Sequence, residues 1–242
     1  MAQFYDLCVR SPFTGGQSSL AEIVKAGEKF GFSGICIVDG FRDLAGLGEL
    51  KAAVEKAGAG TKLDIALGAE IRVDSVQELK KVVEQVRDRV EVLIVSGGDY
   101  NINRAACEDS RVDILLHPEA GRIDSGLDET CAEAAQKNSV AIGFSFKELL
   151  NSFRKQRAKI LESIGTNAQL LDKTKGMGVA VSSASSVWEM REPRQLASVL
   201  TALGFELSSA LRMVSENPVW ILEKNRKVLA GKRITEGVEI VG

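Results

Sequence analysis

The feature that most constrains the fold is a cadence: short β-branched or apolar runs alternate with longer helical patterns from one end of the chain to the other. Candidate strands are Tyr5–Val9, Gly34–Val38, Leu63–Ile71, Val90–Val95, Asp113–Leu116, Val140–Phe146 and Gly178–Ser182. Helices are expected near Leu20–Phe30, Leu47–Ala57, Ser75–Arg87, Ile102–Glu108, Leu127–Lys137, Lys147–Ile164, Pro193–Leu203 and Leu207–Leu229. Strands separated by helices are βα units, which build a parallel sheet because a parallel crossover needs a helix-sized connection. Ser19 with Glu22 and Ser75 with Glu78 have capping-box spacing and fix two helix starts, while Pro218 is expected to break the last helical stretch. The reading is an α/β, TIM-barrel-like fold with seven strands, either incomplete or closed by an eighth that the pattern does not reveal. An open doubly wound sheet is the alternative, although no GxGxxG follows the first strand. At 242 residues the chain matches one barrel, so residues 1–242 are expected to be a single barrel domain with a basic helical C-terminal portion.

Composition narrows the class further. Hydrophobic residues are 45% and charged residues 26% of the chain, close to the globular average, which favours neither a disordered nor a membrane class. Met1 to Arg10 runs straight into a strand-like pattern without a basic region or apolar signal core, so a cytoplasmic protein with no membrane partner is expected. Cys8, Cys36, Cys107 and Cys131 form no CxxC pair and read as reduced core residues. The net charge of −2 hides an asymmetry: residues 1–139 carry 16 basic and 23 acidic side chains, and residues 140–242 carry 15 and 10. The basic C-terminal portion suits a local contact with a polyanion, whereas a pI of about 5.7 argues against coating nucleic acid by charge alone.

Chemistry in barrels gathers at the carboxyl ends of the strands. Asp6, Asp39, Glu70, Asp99 and Glu119 fall there and offer hard oxygen ligands for Mg²⁺, or else cap helices and pair with Arg10, Arg42, Arg72 and Arg104. His117 is the one histidine, too few for a histidine-rich zinc site, which leaves a lone general base or a structural strand-end residue. The stretch Ser182–Ser186 leads toward Arg191 and Arg194, a combination suited to gripping a phosphate or to ordinary turn chemistry. Within Lys147–Ile164, Leu149, Leu150, Phe153, Ile160, Leu161 and Ile164 form one apolar stripe on a helix. Arg157 projects from within that stripe, Arg154 lies at its edge, and Lys155 and Lys159 face outward. An arginine so placed should meet a buried carboxylate or a ligand, or reach water past its packed stem. Lys224, Arg226, Lys227, Lys232 and Arg233 close the chain as a solvated face or an RNA contact, with no RRM, KH or zinc-finger motif and few tyrosines or tryptophans for stacking.

Several segments together resemble the archaeal and eukaryal ribonuclease P component 3 family, the 30-kilodalton subunit. They are Phe4-Tyr5-Asp6-Leu7, the run from Ser96 to Ala105 followed by Glu108, and Val112 to Pro118. Val140 to Ser145 with Arg154 and Arg157, the Ser182-rich loop, and Met190-Arg191-Glu192-Pro193 complete the set, whose order spans nearly the whole chain.

The resemblance implies a barrel similar to the polymerase and histidinol phosphatase (PHP) metallo-hydrolases, within a ribonucleoprotein that removes the 5′ leader from precursor tRNA. It implies that ribonuclease P RNA supplies the catalytic centre and uses Mg²⁺, with no cofactor or metal held by the protein and no catalytic residue on it. Where PHP enzymes carry His-x-His on the first strand, this chain has Asp6-Leu7-Cys8. Expected partners are that RNA, a smaller ribonuclease P protein subunit and precursor tRNA. Arg154, Arg157, Arg191 and Arg194, then Lys224, Arg226 and Lys227, are the expected RNA contacts. Asp6, Asn103, Arg104 and His117 are structural or residual-site residues. Two other readings stay open: a free-standing metal-dependent phosphoesterase using Asp6, Glu70 and Asp99, and a protein-binding scaffold.

Overall fold

The computed structural model describes residues 2–231 and the backbone of 233–235 and 238–239. Seven parallel strands pair in sequence order: β1 (Tyr5–Arg10), β2 (Gly34–Gly40), β3 (Asp64–Ile71), β4 (Val92–Ser96), β5 (Ile114–Leu116), β6 (Ala141–Ser145) and β7 (Gly178–Val181). Each is an apolar run buried on both faces, as parallel strands covered by helices must be. Alternation along β2 sorts the two faces: Cys36 and Val38 point into the barrel with Leu7, Ile94, Ile114 and Leu116, while Ile35 and Ile37 pack outward under the helices. Gly68 and Gly143 occupy inward positions where a side chain has no room. A Cβ at Gly68 would stand 2.7 Å from the Cys36 sulfur, and one at Gly143 would stand 2.7 Å from Leu116.

Around the strands run α1 (Leu20–Lys29), α2 (Leu44–Gly58), α3 (Val76–Val86), α4 (Tyr100–Glu108) and α5 (Glu129–Lys137). They are followed by α6 (Phe146–Asn151), α7 (Arg154–Thr174), α8 (Pro193–Ala202), α9 (Leu207–Arg212) and α10 (Glu216–Leu229). Ser19 and Glu22 form the complete capping box, whereas at Ser75 the side chain accepts from the Glu78 amide without the reciprocal bond. Asp43, Asp99 and Asp128 cap three more helices by the same chemistry.

Two helical expectations are corrected. The stretch 147–164 is not one helix: it breaks at Ser152 and Phe153, Arg154 takes φ +48, and Phe153 is 72% exposed instead of joining an apolar stripe. The last stretch breaks at 213–215, and Pro218 sits buried in the first turn of α10, where the ring's missing N–H has no helical partner to lose.

Among the described residues no eighth strand enters the barrel, and Arg233–Thr235 with Val238–Glu239 pair as a separate antiparallel hairpin. The seam between β1 and β7 closes through one bridge, Val9 to Ala184, and through the Asp6 carboxylate. That carboxylate accepts the Ser182 amide at 3.1 Å and the Cys8 amide at 3.2 Å, so a side chain does the work of a strand ladder. At the opposite, amino end, Ile221 and Leu222 of α10 fill the barrel floor. Arg226 binds Asp64 through two nitrogens at 2.7 and 2.8 Å and reaches Glu91, while Lys224 lies 3.3 Å from Asp113.

Candidate functional site

The carboxyl ends of the strands open into a cleft of about 1030 Å³. From β1 comes Arg10, whose guanidinium pairs with Glu70 at the end of β3. Glu70 also accepts the Ser96 hydroxyl. Burial alone would raise its carboxyl, but Arg10 and Ser96 hold it below the ordinary carboxylate range. Arg72 lies 3.8 Å from the same carboxylate and is mostly exposed. From β5 comes His117, with φ +56, its ring nitrogens 4.0 Å from Glu119 and 3.8 Å from Glu148. Burial pushes the imidazole below its ordinary range against the pull of Glu148, and burial raises the Glu119 carboxyl.

The remaining wall is cationic. Lys147, one residue into α6, donates to the Ser185 hydroxyl. The first turns of α7 set Gln156, Lys159, Ile160 and Ser163 on one face toward the cleft, the i, i+3, i+4, i+7 pattern of one helix side. Lys159 therefore faces inward, a correction to the outward reading, and it donates to the Arg122 carbonyl.

These positions decide which sequence candidates meet. Asp6 is fully buried in the seam, where burial pushes its carboxyl up to about 6 against the N–H donors of Ser182 and Cys8. Asp39 accepts the Ser11 and Thr14 hydroxyls, and Asp99 caps α4. Asn103 is fully buried and spends its amide on loops: it donates to the carbonyls of Pro118 at 2.9 Å and Gly126 at 2.8 Å and accepts from the Gly98 amide at 3.0 Å. Arg104 lies on the outer surface of α4, paired with Glu108 at 2.8 Å.

The arginines expected to grip a phosphate with the serine loop do not do so together. Ser182 and Ser183 turn into the seam and cleft wall, Arg191 donates to the carbonyls of Trp188 and Met190 and lies 5.3 Å over the Phe146 ring, and Arg194 stands exposed on α8. Among the described residues Arg157 meets no carboxylate: it is exposed, donates to the Ser152 carbonyl at 2.8 Å, and stacks over Phe153 at 5.5 Å. Arg154, Arg157, Arg191 and Arg194 all belong to segments following β6 and β7, beside Trp188 at 85% exposure, whose stacking surface the low aromatic count did not suggest. Lys224, Arg226 and Lys227 belong to α10 at the opposite end, and Lys232 and the Arg233 side chain lie outside the described residues.

A metal fits this mouth poorly. Glu70 is committed to Arg10 and the Ser96 hydroxyl, Glu119 and Glu148 flank a single imidazole at 4.0 and 3.8 Å, and among the described residues no group of three or more His, Cys, Asp or Glu side chains is placed to hold an ion.

Fold and site together define a seven-stranded parallel α/β barrel whose carboxyl mouth is lined by more cations than carboxylates. The chain belongs to the family described as RNase P subunit p30, which matches residues 3–228. Ribonuclease P protein component 3 of Methanosarcina acetivorans is 33% identical over 99% of this chain and 96% of its own length. The component 3 protein of Methanococcoides burtonii is 32% identical over 98% and 93%. Among solved structures, a chain of archaeal ribonuclease P with mature tRNA superposes with a TM-score of 0.81, 27% identity and 98% coverage of both chains. A histidinol phosphate phosphatase from Lactococcus lactis, at 11% identity, TM-score 0.59 and coverage of 84% and 95%, shares the fold.

Proposed function

We propose that this chain is the component 3 protein subunit of an archaeal-type ribonuclease P, and supports RNA-catalysed removal of the 5′ leader from precursor tRNA. The observation that carries this reading is the family match from residue 3 to 228 on a barrel whose mouth lacks a metal-ligand set. In this reading the RNA supplies the catalytic centre and uses Mg²⁺, and the protein holds the RNA in its cleavage-competent fold and docks a smaller protein subunit. The free-standing phosphoesterase reading gains no support from Asp6, Glu70 and Asp99, which do not converge: Asp6 lies in the seam, Glu70 is paired with Arg10 in the mouth, and Asp99 caps α4. A cytoplasmic location is part of this reading. Among the described residues no helix is long and apolar enough to cross a membrane.

The RNA-facing surface in this reading is the rim of the carboxyl mouth. Arg154, Arg157, Arg191 and Arg194 supply charge for phosphates, and exposed Trp188 and Phe153 supply faces on which unpaired bases stack. Lys224 and Arg226 rank second because each is tied to carboxylates of the barrel floor. Residues 1–242 are read as one barrel domain, supported by α10, which packs into the barrel itself. Reconstitution with ribonuclease P RNA and its companion proteins tests the function: addition of this chain is expected to raise precursor-tRNA cleavage at low Mg²⁺, and no gain refutes the subunit role.

A further inference from the structure

The mouth holds more positive charge than its fold needs. Five cationic side chains line it against three carboxylates; Arg10 with Glu70 and Arg122 with Asp124 already form closed pairs, and the excess falls on the two lysines. Lys147 and Lys159 have no carboxylate within ion-pair distance among the described residues: one meets a serine hydroxyl, the other a backbone carbonyl. Two residues of the wall, His117 and Ser183, hold left-handed backbone at φ +56 and +51, conformations that cost energy and are retained where the surroundings impose them. The Ser183 hydroxyl is buried without a hydrogen-bond partner. The walls are about half polar and half apolar, and the volume of about 1030 Å³ exceeds what a lone inorganic ion would fill.

We propose that the cleft is a metal-independent binding site for a phosphate-bearing ligand of about nucleotide size, gripped between Lys147 and Lys159. Ser185 is positioned to add a hydroxyl beside Lys147, and Arg10 keeps Glu70 neutralised so that the incoming anion meets net positive charge. The mixed wall around them offers polar groups to a ribose and apolar surface to a base. The phosphate comes either from a nucleotide of the bound RNA or from a free nucleotide. The first source rests on the subunit reading; the site itself does not.

Calorimetric titration of the purified chain in EDTA with adenosine monophosphate, and separately with inorganic phosphate, tests the site. Saturable binding of the nucleotide is expected, weakened about ten-fold by Lys147→Met and by Lys159→Met as a charge-assisted contact is lost, with circular dichroism unchanged. Three results overturn the proposal: no saturable binding up to about 10 mM nucleotide, binding that requires added Zn²⁺ or Mn²⁺, or binding that neither substitution weakens. Repeating the titration on the reconstituted particle separates the sources. Nucleotide excluded by RNA, with Lys147→Met lowering RNA affinity, assigns the site to an RNA phosphate. Nucleotide bound equally in the particle assigns it to a free ligand, and either outcome sustains the site. Precursor-tRNA cleavage by the same particle reports separately on the subunit role, so a failed site and a failed subunit reading are distinguishable.

Discussion

Asp6 closes the barrel with a carboxyl group that water does not reach. Burial raises it to about 6 from an unfolded value near 3.8, so between those values the folded chain binds more protons than the unfolded one. Its contribution to stability is therefore largest at low pH and declines as pH rises through about 6. Asparagine keeps an oxygen to accept the Ser182 and Cys8 amides and never ionises. The stability of Asp6→Asn relative to the natural chain is expected to improve from pH 4.5 to pH 7.5 by about 2 kcal/mol, read from urea unfolding. A pH-independent difference would mean that Asp6 keeps an ordinary carboxyl. Asn103 is the second residue on which loops depend, because removing its amide leaves the Gly98 amide and two buried carbonyls without partners. Asn103→Ala is expected to cost about 3 kcal/mol in the same measurement, and a loss below about 1 kcal/mol would show those groups re-paired or wetted.

At the scale of elements, the seven strands were legible because each is a compact apolar run, and the pattern placed all of them within two residues of their observed ends. The junction of α6 and α7 was not legible. Hydrophobic spacing continues across Ser152 and Phe153, and what favours the break is Arg157 reaching back to the carbonyls of Ser152 at 2.8 Å and Leu150 at 3.5 Å, a contact that competes with helix continuation. The cationic mouth was illegible for a different reason. Arg10, Arg122, Lys147 and Lys159 come from four separate segments, so no local spacing announces them, whereas the shortage of imidazoles could be read by counting one residue type. The Arg157 carbonyl contacts lead to a split prediction. Arg157→Met is expected to lower stability by about 1 kcal/mol, since Arg157 is exposed and only its contact to the Ser152 carbonyl is of full hydrogen-bond strength. If the rim faces RNA, it should also reduce the slope of log affinity against log salt by about 1. Filter binding at a series of salt concentrations measures the slope, and an unchanged slope removes Arg157 from the RNA surface.

For the whole molecule, the barrel assigns different work to its two ends. The amino end is sealed by α10, where Arg226 joins Asp64 and Glu91 in a half-buried cluster, and the carboxyl end carries guanidinium groups after β6 and β7, exposed at Arg154, Arg157 and Arg194 and half-buried at Arg191. A cation whose fork is already filled by two carboxylates has little left to offer a phosphate, because taking one up would strand the carboxylates it now neutralises. Arg226→Met is therefore expected to lower folding stability by about 2 kcal/mol, between the worth of exposed and fully buried pairs, while leaving RNA affinity and its salt slope unchanged at temperatures where the variant is folded. The double variant Arg191→Met with Arg194→Met is expected to do the reverse: a smaller stability loss of about 1 kcal/mol, from the carbonyl contacts of Arg191, and an RNA salt slope reduced by about 2. The two measurements on the two variants form a cross whose diagonal carries the effects. If Arg226→Met reduced the salt slope and the rim variant did not, the RNA would lie against the floor, and the polarity assigned to the barrel would be inverted.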